Sequence, residues 1–204
     1  MKYSIEEYFS IENELNKEGY KLICGVDEAG RGPLAGPVFA AAVIMDKDNI
    51  IEGIRDSKKL TKEKRVKLYN KIINNALAYS IISVDNNVID QINIRNATLQ
   101  AMSNAIKTLK IEPDIIIIDG NDITNLGINQ RAIVKGDMKS YSIACASVLA
   151  KVARDNYMEK MAKLYPEYMF EKHKGYGTKL HIDLIKKYGP CPIHRKSFLK
   201  KILG

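Results

Sequence analysis

Cysteine and histidine are scarce, with three of each among 204 residues. Cys24, Cys145 and Cys191 are odd in number and show no CxxC spacing. That argues against a disulfide framework or a zinc site and fits a reducing cytoplasm. Cys24 in an apolar strand and Cys145 in a small-residue helix read as core fillers. His173, His181 and His194 are interspersed with lysines, so they are expected to be surface residues that titrate near neutrality, not ligands. No apolar run approaches membrane-spanning length, and the first residues alternate acids with apolar side chains, unlike a signal peptide. No membrane partner is expected. Three sequence signatures are missing too: GxxxxGK[ST] of a phosphate loop, GxSxG of a serine hydrolase and HExxH of a zinc protease. There is no internal repeat and no low-complexity tract.

Acids are outnumbered: 24 Asp and Glu against 32 Lys and Arg leave a net charge of +8, which points to an anionic partner, nucleic acid first. The excess gathers in the tail. From Lys172 onward nine Lys and Arg face one acid, Asp183.

Against this background the stretch CGVDEAGRGPLAGPV, Cys24 to Val38, stands out. Leu22, Ile23 and Val26 suit a buried strand. Asp27 and Glu28 then stand side by side, and Gly30, Gly32, Pro33, Gly36 and Pro37 break any regular element. Adjacent carboxylates repel unless a cation sits with them, and hard oxygen ligands suit a divalent ion. The glycines open backbone amides to a ligand, and Arg31 can grip a phosphate.

Length and pattern predict one domain, residues 21–204, behind an N-terminal helical extension, residues 1–20. The extension holds an amphipathic helix from Ser4 to Lys17. Strands are expected at Leu22–Asp27, Val38–Met45, Tyr79–Val84 and Ala132–Val134. The first two should form an antiparallel hairpin. Ile115 to Ile118, four consecutive isoleucines ending in Asp119, demand a strand covered on both faces at the centre of a sheet. Helices are expected from Lys62 to about Ala78 behind Thr61, over Asn86–Ile92, over Ile94–Leu109, from Ser140 or Ser142 to about Leu164, and from near Thr178. From about residue 165 the chain reads as a basic helical C-terminal part. No spare apolar helix face stands out, so a monomer is expected.

Four carboxylates occupy positions where sites collect: Asp27 and Glu28 end one strand, Asp119 ends the isoleucine strand, and Asp137 lies in a turn before the longest helix. Two Mg²⁺ or Mn²⁺ ions roughly 4 Å apart would neutralise such a cluster and assist phosphodiester hydrolysis. For each acid alone a structural role serves as well, and for Asp137 the rival is a helix N-cap. Gly30-Arg31-Gly32 and the HKGYGT segment around Tyr176 each place glycines about one functional side chain, as backbone and sugar grips would. Lys58 and Lys59, after Ser57 and near a helix start, add a phosphate contact. A solvated surface explains those lysines equally well.

GVDEAGRGPLAGPV, DSKKL, IIIDG, VKGD, SIACASVLAKVARD, HKGYGT and HRKSF follow one another in this order, and together they resemble the type 2 ribonuclease H family, prokaryotic ribonuclease HII, over Lys21 to Phe198. The resemblance implies an α/β ribonuclease H-like fold: a mixed central sheet of about five strands flanked by helices, with a helical C-terminal part. It implies an endonuclease that cleaves the RNA strand of RNA–DNA hybrids and cuts 5′ of single ribonucleotides in duplex DNA, leaving 3′-hydroxyl and 5′-phosphate ends. Asp27, Glu28, Asp119 and Asp137 match its metal-binding and catalytic acids, served by two Mg²⁺ or Mn²⁺. Gly30, Arg31, Gly32, Ser57, Lys58, Lys59 and Tyr176 match its substrate contacts. A non-catalytic nucleic-acid binder and a DNA resolvase of the same fold are the alternatives. The complete acid set argues against the first, the glycine and tyrosine grips against the second.

Overall fold

The computed structural model describes residues 9–54 and 60–203. Ser57, Lys58 and Lys59 lie outside the described residues. Five strands form one sheet: β1 Ile23–Ala29, β2 Val38–Met45, β3 Ala76–Val84, β4 Ile115–Asp119 and β5 Asn129–Ile133. Their order is β3-β2-β1-β4-β5. The β1–β2 hairpin and the β2–β3 pair are antiparallel, while β4 and β5 run parallel to β1. The sheet is therefore mixed, as expected. The isoleucine strand is interior, but the middle place belongs to β1. In β4, Ile116 and Ile118 face one core cluster and Ile115 and Ile117 another, so both faces are covered.

One face carries helix α3, Asn86–Lys107, through Ala97, Ala101, Met102 and Ala105. Asn93, at φ 65°, kinks it where two helices were expected. The other face carries α2, Lys62–Asn75, and the long α5, Tyr141–Leu164. Thr61 caps α2, and the Ser140 side chain caps α5 by accepting from the Ile143 amide. Small residues let α5 lie close to the sheet. Gly25 in β1 shows how close, since a Cβ there would overlap the Ser142 backbone. Cys24 and Cys145 are fully buried core residues.

Helix α1, Ser10–Lys17, packs Leu15 against the sheet, and its buried Glu12 accepts from the Ser140 hydroxyl and the Ser142 amide at the start of α5. The single turn α4, Gly136–Lys139, precedes α5. After α5 come a 3₁₀ turn, Pro166–Tyr168, then α6 Phe170–His173, α7 Lys179–Tyr188 and α8 Lys196–Leu203, around a small core of Met158, Tyr168, Phe170, Ile185 and Leu199. Among the described residues no helix is long and apolar enough to cross a membrane.

Three strands differ from expectation in their bounds. β1 runs on past Asp27 to Ala29, because its ladder with β2 continues to the Ala29–Phe39 pair. β3 begins at Ala76, because Met45 pairs with Ala76 and the ladder overrides the helix-forming Ala-Leu-Ala. β5 begins at Asn129, since this edge strand is held by pairing to β4, and its polar residues carry no burial signal.

Candidate active site

Parallel pairing assembles the site. Val26 of β1 is level with Ile118 of β4, so Asp27 and Asp119 follow side by side where the ladder between the two strands ends. Side-chain alternation turns both toward α5 and turns Glu28 toward α3. Asp27 is buried, and its Oδ1 accepts from the Glu28 amide at 2.7 Å. The Ser147 side chain of α5 also bonds to it. Burial, then the charges of Glu28 and Asp119, push the Asp27 pKa well above the usual carboxylate range. Burial raises Glu28 as well, opposed by Arg31, whose guanidinium stands 3.6 Å away.

Asp119 is held from below. Its Oδ1 accepts from the Gly136 amide at 2.6 Å. A side chain at Gly136 would press on the tip of Ile143 and crowd Asp119 and Ile133, so the small residue leaves room for this approach. Asp137 follows immediately, half-buried in α4. It is not the cap of α5, a place taken by Ser140. Nor does it line the groove that Asp27, Glu28 and Asp119 share.

That groove, of about 380 Å³, has the three acids at its base. Gly30, Arg31, Gly32, Tyr176, Arg65, Ser147 and Lys151 line it as well. The Tyr176 ring passes about 4.0 Å from where a Cβ on Gly32 would lie. It is 43% exposed, which excludes a core tyrosine. The structure thus brings together two segments that lie far apart in sequence. Lys151 Nζ bonds Asp155 at 2.6 Å, and Arg65 reaches the same carboxylate at 3.9 Å. Both cations went unread in the sequence, although Lys151 falls within the SIACASVLAKVARD segment.

The donors suit a hard divalent ion: clustered carboxylate oxygens, one of them buried beside like charges whose repulsion a cation would offset. Among the described residues no three Asp, Glu, His or Cys side chains already close round one point.

The histidines correct the sequence reading. His173, His181 and His194 are buried, and they pack about Phe170. Burial drives His181 and His194 down to about 4, so neither carries charge at neutral pH. Their bonds fix the tautomers. The Cys191 amide donates to His194 Nδ1 at 2.9 Å, so the His194 Nε2 proton goes to His181 Nε2 at 3.1 Å. His181 Nδ1 then donates to the Tyr176 carbonyl at 3.0 Å. Lysine-rich surroundings hid this chain, because tertiary packing alone creates it.

The family model described as ribonuclease HII matches residues 24–201. A ribonuclease HII of Caldicellulosiruptor bescii is 68% identical over 199 residues, 98% of this chain and 97% of that protein. The crystal structure of ribonuclease H2 from Pyrococcus horikoshii OT3 superposes with TM-score 0.77 at 29% identity, covering 89% of this chain and 97% of that one. A Bst-RNase HIII, crystallised in complex with Mn²⁺, shares the fold at TM-score 0.61 and 18% identity, over 82% of this chain and 63% of that one.

Proposed function

The chain belongs to the ribonuclease HII family, and from that premise we propose that it hydrolyses the RNA strand of RNA–DNA hybrids and cuts 5′ of single ribonucleotides within duplex DNA. The observation that carries this reading is the meeting of Asp27, Glu28 and Asp119 at the base of a groove walled by Gly30-Arg31-Gly32 and Tyr176. A site that must find any ribonucleotide cannot read bases, and it has to sense the 2′-hydroxyl. Backbone amides beside an exposed tyrosine suit that task.

Asp27, Glu28 and Asp119 would hold two Mg²⁺ or Mn²⁺ ions, with Asp137, outside the groove but next to the Gly136 that holds Asp119, completing the acid set from its rim; when bound, the ions supply an activated water and stabilise charge on the attacking and leaving oxygens. Arg31 is released from Glu28 to meet a phosphate. The Tyr176 ring stacks on the sugar next to the junction. Lys151 and Arg65, which also line the groove, offer positive charge to the nucleic-acid backbone. Ser147 and the Glu28 amide hold the Asp27 carboxylate in orientation, and Gly136 does so for Asp119. Recognition and placement of the scissile phosphate are thereby coupled. The products carry 3′-hydroxyl and 5′-phosphate ends, and the enzyme works as a monomer.

The test is a DNA duplex holding one ribonucleotide, incubated with Mg²⁺ beside all-DNA and all-RNA duplexes of the same sequence. Cutting of the first alone among the three is expected. Binding without cutting of any would favour a non-catalytic binder, and cutting of the all-DNA duplex a DNA nuclease.

A further inference from the structure

Arg154 and Arg195 are the largest fully buried side chains, at 1% and 0% exposure. A buried guanidinium ordinarily pairs with a carboxylate, because the uncompensated charge is costly. Among the described residues neither arginine has an acid in ion-pair contact. Both spend their donors on backbone carbonyls of the loop after β1. Arg195 donates to Gly30 O at 2.6 Å, Arg31 O at 2.9 Å and Gly36 O at 2.9 Å. Arg154 donates to Ala35 O at 3.1 Å, Pro37 O at 3.2 Å and, on the tyrosine segment, Lys174 O at 3.0 Å. Gly30 lies directly on the Arg154 side chain, where a Cβ would overlap it. The Leu34 amide donates to Gly175 O at 2.8 Å, tying this loop to the segment that presents Tyr176. Burial, with Arg154 nearby, pushes Arg195 down to about 9.

The consequence follows from the planar trans peptide, in which C=O and N–H point in opposite directions. The Gly30 carbonyl belongs to the same peptide as the Arg31 amide, and the Arg31 carbonyl to the same peptide as the Gly32 amide. Both carbonyls turn inward to Arg195. Both amides are therefore turned away from it, on the exposed side of a loop that lines the groove. A charged donor on each carbonyl also polarises the peptide and strengthens its N–H as a donor.

We propose that Arg195, with Arg154 beside it, is the positioning residue that turns the Arg31 and Gly32 amides outward as donors to the ribose 2′-hydroxyl, so that selection of RNA over DNA is set from the buried side of the loop. This rests on the functional reading above. A ribose oxygen accepts from these amides, and a deoxyribose leaves them facing a C–H group. Arg195→Lys keeps the charge and loses the fork that reaches three carbonyls at once.

The test measures binding by fluorescence anisotropy in EDTA, where no cutting occurs, to a duplex with one ribonucleotide and to the same duplex in all-DNA form. The wild type should prefer the first. In Arg195→Lys that preference should shrink about tenfold, the worth of one or two hydrogen bonds, while affinity for plain DNA stays within about twofold. A merely structural role would weaken both duplexes alike and leave the ratio intact. A folded variant with the wild-type ratio overturns the proposal. If the variant does not fold, amide exchange in the wild type decides: Arg31 and Gly32 should gain protection from the ribonucleotide duplex and not from plain DNA. Equal protection overturns the proposal. A wild type that binds both duplexes alike contradicts the functional reading itself. A wild type that discriminates beside a variant that discriminates equally contradicts only the role of Arg195.

Discussion

At the residue scale the acids are legible because each follows a run of apolar strand residues. Asp27 and Glu28 close an apolar run, and Asp119 closes the isoleucines, so composition alone marks them. Asp119→Asn keeps the shape and its acceptor for the Gly136 amide, but it removes one of the charges that a cation would meet. Cleavage should fall by about a hundredfold or more, since several kcal/mol of charge stabilisation depend on the ions. Substrate affinity should hold or rise, because a repulsion toward phosphate is gone. Single-turnover cleavage beside anisotropy checks both, and near-wild-type cleavage would remove Asp119 from the cluster. Tyr176 makes a different prediction. It is 43% exposed and its ring lies 5.7 Å from the Arg154 guanidinium, so its loss should cost about 1 kcal/mol of stability, well short of a core tyrosine. Tyr176→Ala should nonetheless lower kcat on a single-ribonucleotide duplex far more than it raises KM, because positioning is what disappears. An equal loss of activity on long hybrids, with a lowered Tm, would make the tyrosine structural. Arg154 and Arg195 were illegible at this scale: no spacing rule marks an arginine whose partners are backbone carbonyls, most of them more than a hundred residues away.

At the element scale, periodicity and capping were informative and pairing was not. Thr61, Ser140 and Thr178 each precede a helix and each caps it through its side chain. The alternation of Ile115 to Ile118 between two core clusters is what a doubly covered strand requires. The early start of β3 depends on its ladder with β2, and no local signal reports a ladder. The same holds for the histidine chain beneath Tyr176, which needs α6, α7 and the segment before α8 folded together. That chain has a testable consequence. His181 and His194 titrate near 4 when folded and near 6.5 when unfolded. Between those values the unfolded chain binds protons that the folded cluster excludes. Their contribution to stability is therefore complete above about pH 6.5 and is lost as pH falls toward 4. Tm measured from pH 4.5 to 7.5 should fall toward acid, and His194→Gln should flatten that slope while lowering Tm at neutral pH. An unchanged slope would mean that the pair is not kept neutral.

At the scale of the whole molecule the net charge of +8 is spread unevenly. Lys179, Lys186, Lys187, Lys196, Lys200 and Lys201 are all exposed on α7 and α8. Removing the tail outright would take away Arg195 and the histidines, and so would test folding instead of binding. Replacing Lys186, Lys187, Lys200 and Lys201 by Gln isolates the charge. If these lysines track a duplex, log Kd against log salt should lose about 0.9 in slope for each phosphate contact removed, equally for ribonucleotide-containing and plain duplexes. An unchanged slope would make them solvated surface. The fold class could be read from the sequence because strand, acid and loop coincide in one short stretch. The junction of loop, tyrosine and buried arginines could not, because it exists only where residues 30–37, 154, 174–176 and 195 meet.

The central claim is that this groove uses carboxylates to direct water at the phosphate 5′ of a ribonucleotide, and uses the 2′-hydroxyl for recognition alone. The chemistry of the ends tests that most directly. A duplex with one ribonucleotide, labelled on both sides of it, should yield with Mg²⁺ a 3′-hydroxyl on the upstream DNA and a 5′-phosphate on the ribonucleotide itself. The matched all-deoxy duplex should stay intact. A cut on the 3′ side of the ribonucleotide with a 2′,3′-cyclic phosphate would show the 2′-hydroxyl acting as the nucleophile, and would contradict the account.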